Sequence, residues 1–204
     1  VTTDGALGEW DAQTVARFAL DRAVYGNTRW TGPGDASADA RACWTDTALV
    51  LGVSVTDDAH VQTEQGETAW QGDEIELLFD GDLRGDYYEA RWNSDDVQIG
   101  LSPGDFAGLP PSAVRFHPAL DESLALMLMA QRPLATGGSY ALEAEIPWSI
   151  LLGSAPQPET NYGLCLSVSD NDQPGEASQD SLVSHCTGLR VVDPTTWLTV
   201  RFLR

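Results

Sequence analysis

Apolar and polar side chains that alternate with a period of two dominate this sequence, and they restrict the chain to a β architecture. Leu49, Leu51, Val53 and Val55 share one strand face, while Gly52, Ser54 and Thr56 share the other. Ile75, Leu77 and Phe79 oppose Glu74, Glu76 and Asp80. Tyr140, Leu142, Ala144 and Ile146 alternate with Ala141, Glu143 and Glu145; Tyr162, Leu164, Leu166 and Val168 alternate with Gly163, Cys165, Ser167 and Ser169. Further strands are expected at 96–101, 113–117, 124–131 and 197–203. The 124–131 run is apolar on both faces, which predicts a central strand. Clusters of Gly, Pro, Asn and Asp separate these runs. Helix is confined to one or two short turns, the clearest beginning at Pro147. The pattern predicts an all-β fold, a two-sheet antiparallel β-sandwich, formed as one domain over residues 1–204.

Charge narrows the function classes. Against 31 acidic residues stand 11 basic ones, a net charge of −20, and every cation is Arg. Such a surface repels phosphate backbones and anionic leaflets, so neither a nucleic-acid partner nor membrane insertion is expected. It suits either a salt-rich environment or cations such as calcium. No basic segment followed by an apolar core stands behind Val1, so no secretory leader is expected in this sequence. Cys165 and Cys186 fall on two candidate neighbouring strands and could form a disulfide with Cys43 left over; the alternative is three buried thiols.

The segments between strands carry an ordered set of short motifs. These are Asp4-Gly5-Ala6-Leu7-Gly8-Glu9-Trp10, Trp44-Thr45-Asp46, Asp57-Asp58, Trp70-Gln71-Gly72-Asp73-Glu74-Ile75-Glu76 and Phe79-Asp80. Asp95-Asp96-Val97-Gln98, Tyr140–Trp148, Val168-Ser169-Asp170-Asn171-Asp172 and a closing Trp197 strand follow. In this order they resemble the family 9 carbohydrate-binding modules and the wider DOMON-like sandwich group, over nearly the whole chain. The resemblance implies a non-catalytic module that binds sugars at chain ends, carries structural calcium and belongs to secreted or surface proteins. It implies a ligand site at Trp70, Glu76 and Asp57. It also marks departures: the family's second stacking Trp falls at Arg190-Val191-Val192, its Arg at Gly100 and its late Gln at Ser167.

Individual residues carry competing readings. Trp70 is either a stacking platform or a ring packed over the sandwich edge. Glu76 either accepts hydroxyl hydrogen bonds or sits on a solvated sheet face. Asp170-Asn171-Asp172 opens like a calcium loop with Gly175 at the sixth position, yet Pro174 and Ser181 break the EF-hand pattern. Calcium ligands are therefore assigned to Asp170, Asp172 and Asp58, with Asp80-Gly81-Asp82 and Asp95-Asp96 as rivals. Glu143 and Glu145 have the spacing of a glycosidase pair but come from one strand, which disfavours catalysis. Met127, Met129 and His117 are the available haem donors, and core packing explains the two Met better.

The resulting expectation is an extracellular carbohydrate-binding module that is not an enzyme. It would take a glycan partner and calcium as a structural ion. A surface-assembly module with a lapsed sugar site, docking a surface protein, is the first alternative, and a haem-binding domain the second.

Overall fold

The computed structural model describes residues 1–13, 15–119, 124–131 and 137–203. Twelve strands follow in order: β1 Ala16–Leu20, β2 Arg22–Tyr25, β3 Ala36–Trp44, β4 Ala48–Asp57, β5 Glu74–Asp80, β6 Asp96–Ser102, β7 Ser112–His117, β8 Met127–Gln131, β9 Tyr140–Pro147, β10 Asn161–Asp170, β11 Ser181–Ser184 and β12 Leu198–Arg201. A five-stranded sheet runs β1-β3-β4-β9-β8. A seven-stranded sheet runs β2-β11-β10-β5-β6-β7, with β12 paired to β10. The pairings are antiparallel, as the alternation required. Among the described residues, helix is limited to α1 Trp148–Leu151 and the 3-10 turns Leu7–Ala12, Gly66–Gln71 and Pro194–Thr196.

The inward-facing residues of both sheets form one core. Leu51, Val53 and Val55 of β4 meet Leu77 and Phe79 of β5, Ile99 of β6 and Leu164 and Leu166 of β10. Burying each such side chain contributes about 1.5–3 kcal/mol, which fixes strand register because a one-residue slip would invert every face.

Three features depart from the expectation. The 124–131 run forms β8 at the edge of the five-stranded sheet, paired with β9 alone among the described residues, while β4 takes the centre. Apolarity on both faces does not separate an edge strand from a central one. Strand β3 escaped prediction because its core face is Ala36, Ala38, Ala40 and Ala42, a residue depleted in strands. Finally, β5 and β10 are buried on both faces. A second small apolar layer of Leu78, Cys165, Leu182, Cys186, Leu189 and Trp197 covers the outer side of the seven-stranded sheet.

Candidate functional site

The outer face of β5 presents Glu74, Glu76 and Leu78, since the odd-numbered residues of that strand face the core. Register places Gly100 of β6 on one side of Glu76 and Ser167 of β10 on the other. Above this face runs the turn Gly66–Gln71, fastened where Ser169 Oγ donates to the Trp70 carbonyl at 2.8 Å. Trp70 is 38% exposed there. Trp70, Glu76, Gln98, Phe116, Gln179, Leu182 and Val191 line a cavity of about 260 Å³.

Glu76 is only 3% exposed, so it stands on a covered face rather than a solvated one. Gln98 Nε2 donates to its Oε2 at 3.0 Å. Burial pushes the Glu76 carboxyl up to about 7, and the Gln98 bond partly offsets that rise. Glu74 beneath it is fully buried, and neither of its oxygens has a hydrogen-bond partner. Burial, then the neighbouring Glu76, pushes Glu74 well above the usual carboxylate range. The Ser167 hydroxyl is likewise buried without a partner. Room for a side chain at 100 is already taken: a Cβ there would lie 2.6 Å from both Glu74 Oε2 and a Phe116 ring carbon.

Sequence reasoning found Trp70 and Glu76 but missed Phe116, Gln98 and Gln179 as lining groups. The outward alternation of Val114 and Phe116 on β7 was the available signal for Phe116. Val191, where the resemblance placed a second Trp, does reach the cavity and gives it an aliphatic wall.

Asp57 does not line this cavity. It closes β4 in the other sheet, where it is buried within an acidic cluster. Carboxylate oxygens of Asp57, Asp170 and Asp172 lie within 4.8 Å of one another, as do those of Asp35, Asp58 and Asp172, so Asp172 joins the two groups. Burial first, with repulsion between neighbouring carboxylates added, holds Asp57, Asp170 and Asp172 each at about 7. Asp170 Oδ1 and Asp172 Oδ1 are buried without a donor. Oxygen-only donors with orphaned carboxylate atoms fit a hard divalent cation such as calcium. Asp73 beside them is occupied: its oxygens accept from Asn171 N at 2.8 Å and Val61 N at 2.5 Å, and His60 Nδ1 lies 2.9 Å away.

A second acidic group joins Asp80, Asp86 and Asp95 in the β5–β6 connection. Burial and mutual repulsion raise Asp80 to about 7.

The remaining candidates have other duties. Glu143 is buried, with Oε2 accepting from Asp4 N at 2.9 Å and Gly5 N at 2.6 Å and Oε1 from Trp10 Nε1 at 2.6 Å. It clamps the N-terminal segment. His117 stacks on Trp92 with centroids 4.4 Å apart. It stands on β7 in the seven-stranded sheet, whereas Met127 and Met129 lie on β8 in the other, their side chains outside the described residues. Cys165 and Cys186 are joined as a disulfide with Cα atoms 5.9 Å apart, Cys186 lying just past the end of β11. Cys43 remains a free thiol. Among the described residues no helix is long and apolar enough to cross a membrane.

A family model described as "Carbohydrate family 9 binding domain-like" matches residues 4–202. Two solved structures of a family 9 carbohydrate-binding module from Caldicellulosiruptor kristjanssonii share the fold. One, in complex with cellotriose, is 16% identical with a TM-score of 0.71, covering 100% of this chain and 89% of its own. The other, in complex with glucose, is 15% identical with a TM-score of 0.65, covering 99% of this chain and 91% of its own. At these identities the likeness speaks for architecture alone. No curated protein matches the chain.

Proposed function

Because the chain belongs to the carbohydrate family 9 binding domain-like family, we propose that it is a non-catalytic glycan-binding module whose ligand lies in the cavity beside Trp70. One observation carries this reading: a partly exposed indole stands next to a buried Glu76–Gln98 pair in a cavity on the sheet face. A sugar ring offers an apolar C–H face and a rim of hydroxyls. The indole takes the first, and the carboxylate and amide oxygens take the second. No bond is broken. Affinity is on the order of micromolar to millimolar, because water bonds are exchanged for protein bonds at small net gain.

Calcium, when bound, supplies charge compensation to the buried carboxylates. Asp57, Asp170 and Asp172 would hold it, with Asp35 and Asp58 adjacent. The Cys165–Cys186 disulfide and the kinship with surface modules support an extracellular setting. A glycan array probed with and without calcium tests the reading, and binding to no glycan would refute it.

The aliphatic wall at Val191 favours a second reading, a surface-assembly module whose sugar site has lapsed. Self-association on a sizing column without any glycan signal would decide for it.

A further inference from the structure

Glu76 lines the Trp70 cavity with Glu74 buried next to it on the same strand face, and among the described residues no cationic side chain lines that cavity. Glu74 and Glu76 are separated by a single residue, so their side chains project to the same side. Gln98 gives Glu76 one neutral donor, while Glu74 receives none. The nearby Arg190 reaches instead to Asp193 Oδ2 at 3.4 Å. Arg115 projects from β7 beside Phe116 and donates to the Pro118 carbonyl at 2.9 Å. Position 100 is Gly, with its space filled by Glu74 and Phe116. Ionising Glu76 here without a counter-charge is costly, and a neutral hydroxyl does not offset that cost.

We propose that the preferred ligand is a glycan carrying protonated amines, a hexosamine unit whose ammonium pairs with Glu76. This rests on the Trp70 cavity being the sugar site. An ammonium brings the missing positive charge and three N–H donors, and a charge-assisted bond is about twice as strong as a neutral one. The Trp70 face adds cation–π attraction. The whole molecule agrees with the site: at net −20 it draws a polycationic chain towards itself and repels uronate or sulfated chains. The raised carboxyl of Glu76 supports the same point, since a cation beside it restores its ionised form.

The test is calorimetric titration of the unmodified protein at pH 7 and low salt with glucosamine, glucose and N-acetylglucosamine. Glucosamine should bind about tenfold more tightly than glucose, matching one charge-assisted contact. N-acetylation and added salt should each remove that advantage. Glu76→Gln should weaken glucosamine far more than glucose, so that the two sugars bind about equally. Equal affinity for glucosamine and glucose would overturn the proposal and leave the sugar site standing. Binding of none of the three would overturn both. The three-sugar comparison needs no variant, so it decides even if a glutamate substitution fails to fold.

Discussion

Gln98 Nε2 donates to Glu76 Oε2 at 3.0 Å, so the amide and the carboxylate that line the cavity fix one another across β5 and β6. Glu76 keeps its second oxygen, and Gln98 its amide oxygen, as acceptors for hydroxyls. The pair is preorganised by sheet register rather than by a loop, which lowers the entropy lost on binding.

Calcium should stabilise the protein through the Asp57–Asp170–Asp172 cluster. A ligand bound only to the folded state adds about 2.7 kcal/mol at a hundredfold excess over its dissociation constant. The melting temperature should rise with calcium and fall with chelator. Asp172→Asn, which removes the residue shared by both triads, should abolish the response.

In chelator the same cluster sets a pH dependence. Asp57, Asp170 and Asp172 are each held at about 7, above the unfolded value near about 3.9. A carboxyl raised in the folded state contributes stability that is full below about pH 4 and lost as pH rises through about 7. Melting temperature in chelator should therefore decline from about pH 5 to pH 8, and calcium should flatten the decline. A chelated protein that grows steadily more stable over this range would contradict the assignment of raised carboxyls.

The Cys165–Cys186 disulfide closes a loop spanning 21 residues over the small outer apolar layer. Loop-closure entropy puts its contribution at about 3 kcal/mol. Denaturant unfolding of the Cys165→Ala/Cys186→Ala double variant should show a loss of that order, and reductant should match it in the wild type.

Trp10 lies against Gly52: a Cβ at 52 would meet the indole at 2.6 Å. With Trp10 also held by Glu143, the ring has little room to retreat. Gly52→Ala should cost about 1–3 kcal/mol by overpacking, read from the unfolding midpoint.

Much of the fold was legible because each of β4, β5, β9 and β10 alternates strictly, and alternation is a direct consequence of strand geometry. Strand β3 was not, since alanine carries little strand signal, and nothing in the 124–131 run distinguishes edge from centre. Trp70 and Glu76 were legible through motif order. Asp57 ends β4 beside Asp170 and Asp172 rather than in the cavity at the indole, a placement set by tertiary packing that motif order does not record. Gln179 reaches the cavity by tertiary packing from the segment before β11, which no local pattern records.

The most direct measurement is glycan affinity of the wild type and Trp70→Ala side by side, with melting temperature as the control for folding. The account predicts at least about a tenfold loss of affinity with the melting temperature little changed, as expected for removing a stacking ring that is partly exposed. Undiminished glycan binding by a folded Trp70→Ala protein would contradict it.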